Sequence, residues 1–290
     1  MNRTRLHRRL ARAATLVLVA ALALLAVGAP LPRAAAAPAS STADWTQVAE
    51  LLAADPGEDD GFGYSVAISG DTLVMGAPWH DGAGAVYVFV RSGASWAQQA
   101  MLTIQDGASD DRFGYAVAIA GDTIVAGSPG HVAQGSTHAG TAYVFVRSGA
   151  SWAQQAELWA RDGGWFDWFG GSVAISGDTI VVGAPHHRVG LYGMAGAVYV
   201  FVRSGGSWAQ QAELSASDGG PGDQLGTSVA IDGDTVVAGA PEYHTGQIDS
   251  VGAAWVFVRS GSSWEQKARL DPSDGAELDR FGHAVAITGD

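Results

Sequence analysis

One block recurs five times along this chain with almost no drift, and nothing else in the sequence constrains the fold as strongly. Phe62-Gly-Tyr-Ser-Val-Ala-Ile-Ser-Gly-Asp71 returns in closely similar form from Phe113, Phe169, Leu225 and Phe281. A tryptophan heads a second shared segment at Trp45, Trp96, Trp152, Trp208 and Trp264. Both series advance by 51, 56, 56 and 56 residues. A period of this size marks an array of supersecondary units, each unable to bury its apolar face alone and each packed on its neighbours.

The unit reads as four short β-strands. The first spans 62–69 and turns back through Gly70-Asp71, where Gly at the first central position suits a type II′ hairpin. The second spans 72–76 and stops at Ala77-Pro78. The third, 85–90, is a continuous apolar run with Val, Tyr and Phe, which predicts burial on both faces. After the turn at Arg91-Ser-Gly-Ala comes the fourth, 96–102, too short to stand as a helix despite its Ala and Gln content. Four antiparallel strands per repeat describe the blade of a β-propeller.

Phe62-Gly63 with Gly76-Ala77-Pro78 resembles the motif pair of the FG-GAP repeat family, to which integrin-like propellers belong. The pair recurs as Phe113-Gly114 with Gly127-Ser128-Pro129, as Phe169-Gly170 with Gly183-Ala184-Pro185, and as Leu225-Gly226 with Gly239-Ala240-Pro241. The resemblance runs from Trp45 to Asp290. It implies an all-β propeller, usually of seven blades, in an extracellular or surface protein. Four complete repeats are expected, with a partial blade at each end: a fourth strand over 45–52 and a first strand over 281–287. That pattern reads as a fragment of a longer product, the alternative being an open arc of four blades. Integrin-type propellers hold calcium in an Asp-rich loop between strands one and two. Here that loop is Ser69-Gly70-Asp71 and its copies, too short for the ligand set.

The first 39 residues read as an export signal. Five arginines from Arg3 to Arg12 precede an apolar stretch over 13–29, and small residues follow around Ala36 and Ala39. Residues 40–44 form a short linker, and 45–290 the propeller. The chain is expected to be secreted or held at the cell surface, touching membrane only through an uncleaved signal anchor or a further C-terminal part. Six arginines and no acid lie before Ser41, so the remainder carries ten basic and 29 acidic side chains, a net charge of −19. Such a surface repels nucleic acid and anionic lipid. Cysteine is absent, and a domain of this size buries enough surface to do without disulfides.

Differences between the copies point to the working face. All the length variation lies in the loop between strands two and three, and six histidines fall there: His80, His131, His138, His186, His187 and His244. In an up-and-down blade this 2–3 loop emerges on the same face as the 4–1 loop that connects to the next unit. Variable loops on a rigid scaffold are where binding concentrates. The third 4–1 loop, Asp162-Gly-Gly-Trp-Phe-Asp-Trp168, carries three large aromatics where the other copies have small polar residues. The candidate ligand-binding set on this face is therefore Trp79, His80, Trp165, Phe166, Trp168, His186, His187, Tyr192, Tyr243 and His244. Tryptophan and tyrosine supply rigid contact area for sugars or partner pockets.

Every 4–1 loop also carries one Asp seven residues before the Phe/Leu-Gly pair and another two before it. Clustered carboxylates suit a hard cation, which makes Asp106, Asp111, Asp162, Asp167, Asp218 and Asp223 a candidate weak calcium set. The same residues equally suit turns in which Asp accepts backbone N–H bonds. Beyond calcium no cofactor is implied. The chain lacks GxSxG, HExxH and phosphate-binding glycine loops. The expected function is recognition, adhesion or scaffolding towards an extracellular protein or polysaccharide. The alternatives are a propeller hydrolase or lyase, or a purely structural spacer.

Overall fold

The computed structural model describes residues 46–132, 139–246 and 248–289. The expected signal, the linker, Trp45 and His138 lie outside them. Each complete repeat folds into one four-stranded antiparallel sheet in plain sequence order. The first sheet comprises β1 (Ser65–Ser69), β2 (Thr72–Ala77), β3 (Ala85–Ser92) and β4 (Ser95–Leu102). The second comprises β5 (Val117–Ala120), β6 (Thr123–Ser128), β7 (Thr141–Ser148) and β8 (Ser151–Leu158). The third has β9 (Ser172–Ser176), β10 (Thr179–Ala184), β11 (Ala197–Ser204) and β12 (Ser207–Leu214). The fourth has β13 (Ser228–Asp232), β14 (Thr235–Ala240), β15 (Ala253–Ser260) and β16 (Ser263–Leu270). The fold is all-β, with one 3₁₀ turn at His80–Gly82 and no α-helix among the described residues.

The four-blade reading holds, and the expected strand bounds need adjustment. Each first strand begins three or four residues after its Phe or Leu. That residue sits in a lead-in turn instead, as where Tyr64 N–H donates to Gly61 O. The two partial blades expected at the ends form no strand among the described residues: 46–52 carry no strand pairing, and 281–287 only the isolated bridge of Phe281 to Gly252. A strand needs a continuous ladder partner for its backbone groups, and neither segment has one among the described residues beyond the Phe281–Gly252 bridge. The first-strand hairpins follow the expected turn. Gly70 has φ 58° while Asp71 keeps negative φ, the pattern of a type II′ hairpin.

Each core lies between two successive sheets. Val74, Val86 and Val88 of the first pack with Phe113, Ile124, Tyr143 and Phe145 of the second. The same arrangement joins the second to the third and the third to the fourth. Third strands are buried on both faces, as their apolar runs require: Ala85 to Phe89 are all buried.

The geometry explains the two motifs that define the repeat. Gly76, from the end of β2, faces the backbone of Gly114 in the next unit. A β-carbon on Gly76 would stand 1.9 Å from the Gly114 carbonyl oxygen. Gly114 has φ +86° and donates its N–H to Gly127 O. The Ser65 hydroxyl donates to the same Gly114 carbonyl. The glycines of one FG and the preceding GAP are thus a backbone-to-backbone contact between blades. On the opposite side of the sheets, Arg147 bonds Asp122 and Thr72 and lies 5.2 Å over the Trp152 ring. Trp152 Nε1 donates to Gln99 of the preceding blade. The bulge in the β3–β4 pairing between Val88 and Phe89 leaves Gln99 out of register and free to reach across. These contacts account for the Arg and Trp of the repeated Arg-Ser-Gly-x-Ser-Trp signature.

Candidate functional site

The 4–1 and 2–3 loops meet on one face and are pinned together by a buried carboxylate. Asp111 accepts the Ala108 N–H of its own loop and lies 2.8 Å from His131 Nδ1 in the 2–3 loop. Asp167 does the same with Gly164 and with His187, at 2.7 Å. Asp60 pairs with Gly57 and His80, at 2.9 Å. In the fourth blade Asp223 keeps the turn bond to Gly220, but His244 is exposed and 3.7 Å away. The hydrogen bond to His80 holds the Asp60 carboxyl below its ordinary value, against the opposing effect of burial. Asp223 shifts upward, chiefly through burial.

The other Asp of each loop contacts the aromatic residue of the third strand. Tyr87 donates to Asp55 at 3.0 Å, Tyr199 to Asp162 at 3.1 Å, and Trp255 Nε1 to Asp218 at 3.0 Å. Burial, then Asp55 for Tyr87 and Glu213 with Asp162 for Tyr199, push both hydroxyls far up. The Tyr143 hydroxyl is buried without a hydrogen-bond partner. Of the six residues in the candidate calcium set, Asp111, Asp167 and Asp223 are therefore buried turn carboxylates. Asp106, Asp162 and Asp218 are more exposed.

Two glutamates that the repeat pattern did not single out join these loops. Glu157 stands across from Tyr143, and Glu213 across from Tyr199. Asp106, His131 and Glu157 bring one ligand atom each within 4.8 Å of one another, as do Asp162, His187 and Glu213. Burial and then the neighbouring Asp raise the Glu157 and Glu213 carboxyls. For His187, burial opposes the charge but Asp167, Asp162 and Glu213 outweigh it, and its pKa rises. The signal for both glutamates was the fourth-strand position that varies most between copies: Met101, Glu157, Glu213 and Arg269.

The aromatic candidates divide into two groups. Trp165 is 71% exposed and its ring lies 5.4 Å from that of Phe166, itself about half exposed. Together with His186, Arg188 and Met194 they line a cleft of about 370 Å³. Leu191 and Tyr192, both exposed, line a second cleft of about 470 Å³ on the same blade. Trp168 turns inward to His186 at 4.9 Å and to Tyr115 at 6.2 Å. Tyr115 contacts Tyr64, which contacts Trp79, so a row of rings crosses three blades. Tyr64 and Tyr115 went unselected in the sequence, although the residue after each Phe/Leu-Gly varies: Tyr64, Tyr115, Gly171, Thr227 and His283. Burial, then the Tyr64 hydroxyl, pushes Tyr115 up to about 12. Burial lowers His186. Tyr243 packs on Trp255 and under Arg269. His80 and His187 are buried, so of the ten candidates the structure gathers Trp165, Phe166 and His186 around one cleft, with Tyr192 at its neighbour.

Phe166 and Trp168 both have φ 61°, as do other non-glycine residues at the matching loop positions: Asp110 (73°), Arg112 (58°) and Gln224 (59°). The left-handed backbone is a property of the loop, and it sets the direction of whichever side chain stands there.

The FG-GAP repeat family model matches residues 45–89, 96–145, 152–201, 208–257 and 264–290. Integrin alpha-7 of Mus musculus is 35% identical over 102 residues, 31% of this chain and 8% of that protein. Integrin alpha-7 of Homo sapiens is 32% identical over 115 residues, 36% of this chain and 10% of its own length. Integrin alpha-D of Homo sapiens is 28% identical over 167 residues, 51% of this chain and 14% of its own length. The chain therefore spans between 8% and 14% of these relatives. With five family matches in register over most of its length, the chain belongs to the FG-GAP repeat family.

Proposed function

We propose that the chain is an exported, integrin-like recognition module that holds an extracellular partner on the loop face of its third blade. One observation carries this reading: the exposed Trp165–Phe166 pair beside the cleft lined by His186, Arg188 and Met194. Large apolar side chains held in solvent by a pinned loop form a preorganised contact surface. The similarity to integrin alpha chains supports a protein as the partner, and a polysaccharide is the second class that aromatic stacking suits. Residues 1–39 serve as the export signal and 45–290 as the recognition domain.

The test is an array of soluble matrix proteins and polysaccharides probed with wild type and with the Trp165→Ala/Phe166→Ala double variant. The expected result is selective capture of wild type and loss of capture by the variant at unchanged melting temperature. Equal capture of both would overturn the assignment of this face. Export is checked by N-terminal sequencing of secreted material, with cleavage expected after Ala36 or Ala39.

A further inference from the structure

We propose that the second and third blades each bind one divalent transition-metal ion, through Asp106, His131 and Glu157 and through Asp162, His187 and Glu213. The proposal is independent of the recognition reading.

The histidines are set up as ligands. Asp111 lies 2.8 Å from His131 Nδ1 and Asp167 lies 2.7 Å from His187 Nδ1. With Nδ1–H donating to these carboxylates, the Nε2 lone pair faces outward. A carboxylate behind an imidazole is the usual outer partner of a metal-binding histidine, because it sets the tautomer and raises ligand basicity. Nε2 of His131 stands 3.6 Å from Asp106, and Nε2 of His187 stands 3.7 Å from both Asp162 and Glu213. These gaps are too long for hydrogen bonds. They are close to the separation of about 3.4 Å between two ligands on one tetrahedral ion with bonds of about 2.1 Å. Without a metal, a proton on the imidazole offsets the carboxylates around it, as the upward shift of His187 reflects, and a divalent cation held between them displaces that proton.

A second observation points to the same place. The Tyr143 hydroxyl is fully buried beside Asp106 and Glu157 yet makes no hydrogen bond of ordinary geometry, whereas Tyr87 and Tyr199 donate to the matching Asp55 and Asp162. A buried donor without a partner normally implies a missing group. Water completing the coordination sphere of an ion held by Asp106 and Glu157 supplies one.

The remaining blades act as internal comparisons. In the fourth, Tyr243 takes the histidine position and Arg269 the glutamate position. The Arg269 guanidinium pairs with Asp218 and donates to the Tyr243 hydroxyl at 2.7 Å, so a protein cation sits among the equivalent groups. In the first, Met101 replaces the glutamate. One imidazole with two carboxylates suits a borderline ion such as Zn²⁺ better than calcium, which takes oxygen ligands in larger number.

The test is titration of Zn²⁺ into chelator-stripped, untagged chain, read by isothermal calorimetry and by metal analysis after desalting. The expected stoichiometry is two, with binding raising the melting temperature. Glu157→Met and Glu213→Met are each expected to remove one equivalent, and the double variant both. The first blade folds with Met101 at this position, so these variants retain the fold, and circular dichroism checks that. No Zn²⁺ bound by folded wild type would overturn the proposal. Stoichiometry unchanged in the folded double variant would also overturn it, as would Ca²⁺ bound in preference to Zn²⁺.

Discussion

His187 Nδ1 lies 2.7 Å from a carboxylate oxygen of Asp167, twenty residues upstream, and both side chains are buried. The bond ties the loop that carries Trp165 and Phe166 to the loop that carries Arg188 and Met194. Its counterpart in the second blade joins Asp111 and His131. Asp111→Ala removes a buried acceptor from both His131 and the Ala108 N–H. A loss of about 2–3 kcal/mol is expected in urea unfolding. Asp223→Ala, whose histidine is exposed and 3.7 Å away, is expected to lose less.

The first blade gives a pH prediction. The His80 hydrogen bond depresses the Asp60 carboxyl, so this group favours the folded state above its unfolded pKa of about 4. That contribution disappears as pH falls through the folded value. The stability difference between wild type and Asp60→Asn should therefore be constant near neutrality and shrink below about pH 4. Denaturant midpoints measured from pH 7 down to pH 3 check the sign.

Contact between blades depends on glycine at two positions per repeat. Gly127→Ala would place its methyl 1.9 Å from the Gly170 carbonyl oxygen. Neither backbone can retreat without opening the interface, and a loss above about 3 kcal/mol is expected. Gly149→Ala, at φ 63° in an open turn, should lose only about 1 kcal/mol from the left-handed backbone. Equal effects of the two would show that close approach is not what the GAP glycine serves.

Arg147→Lys tests the opposite side of the sheets. The fork that bonds Asp122 and Thr72 while covering Trp152 has no lysine equivalent. A loss of about 1 kcal/mol is expected by thermal unfolding, partly exposed as the site is.

The blade was legible in the sequence because its signals are local and repeated. Period, Gly-Asp turns and apolar third strands each depend on neighbours a few residues away. The strand starts were misplaced because Phe62 and its copies are apolar and look like strand, whereas the inter-blade glycine contact turns them into a lead-in turn. Trp165 and Phe166 stood out as departures from the repeat, and they are exposed in the fold. His80 and His187 stood out too, yet they are buried, since only the fold reveals that Asp60 and Asp167 pair with them. Glu157 and Glu213 were hidden in strand four, where alternation says which face a residue takes but not which loop it meets.

Binding to the strongest array partner, measured by biolayer interferometry for three chains, separates the loop face from the opposite end of the blades as the recognition surface. The chains are wild type, Trp165→Ala/Phe166→Ala, and Ala150→Arg, which alters an exposed turn at the opposite end of the second blade. Recognition through the loop face requires at least a tenfold weaker Kd for the aromatic double variant, about 1.4 kcal/mol, and wild-type affinity for Ala150→Arg. Full affinity in the double variant, with binding lost in Ala150→Arg, would contradict it and move the recognition surface to the other face.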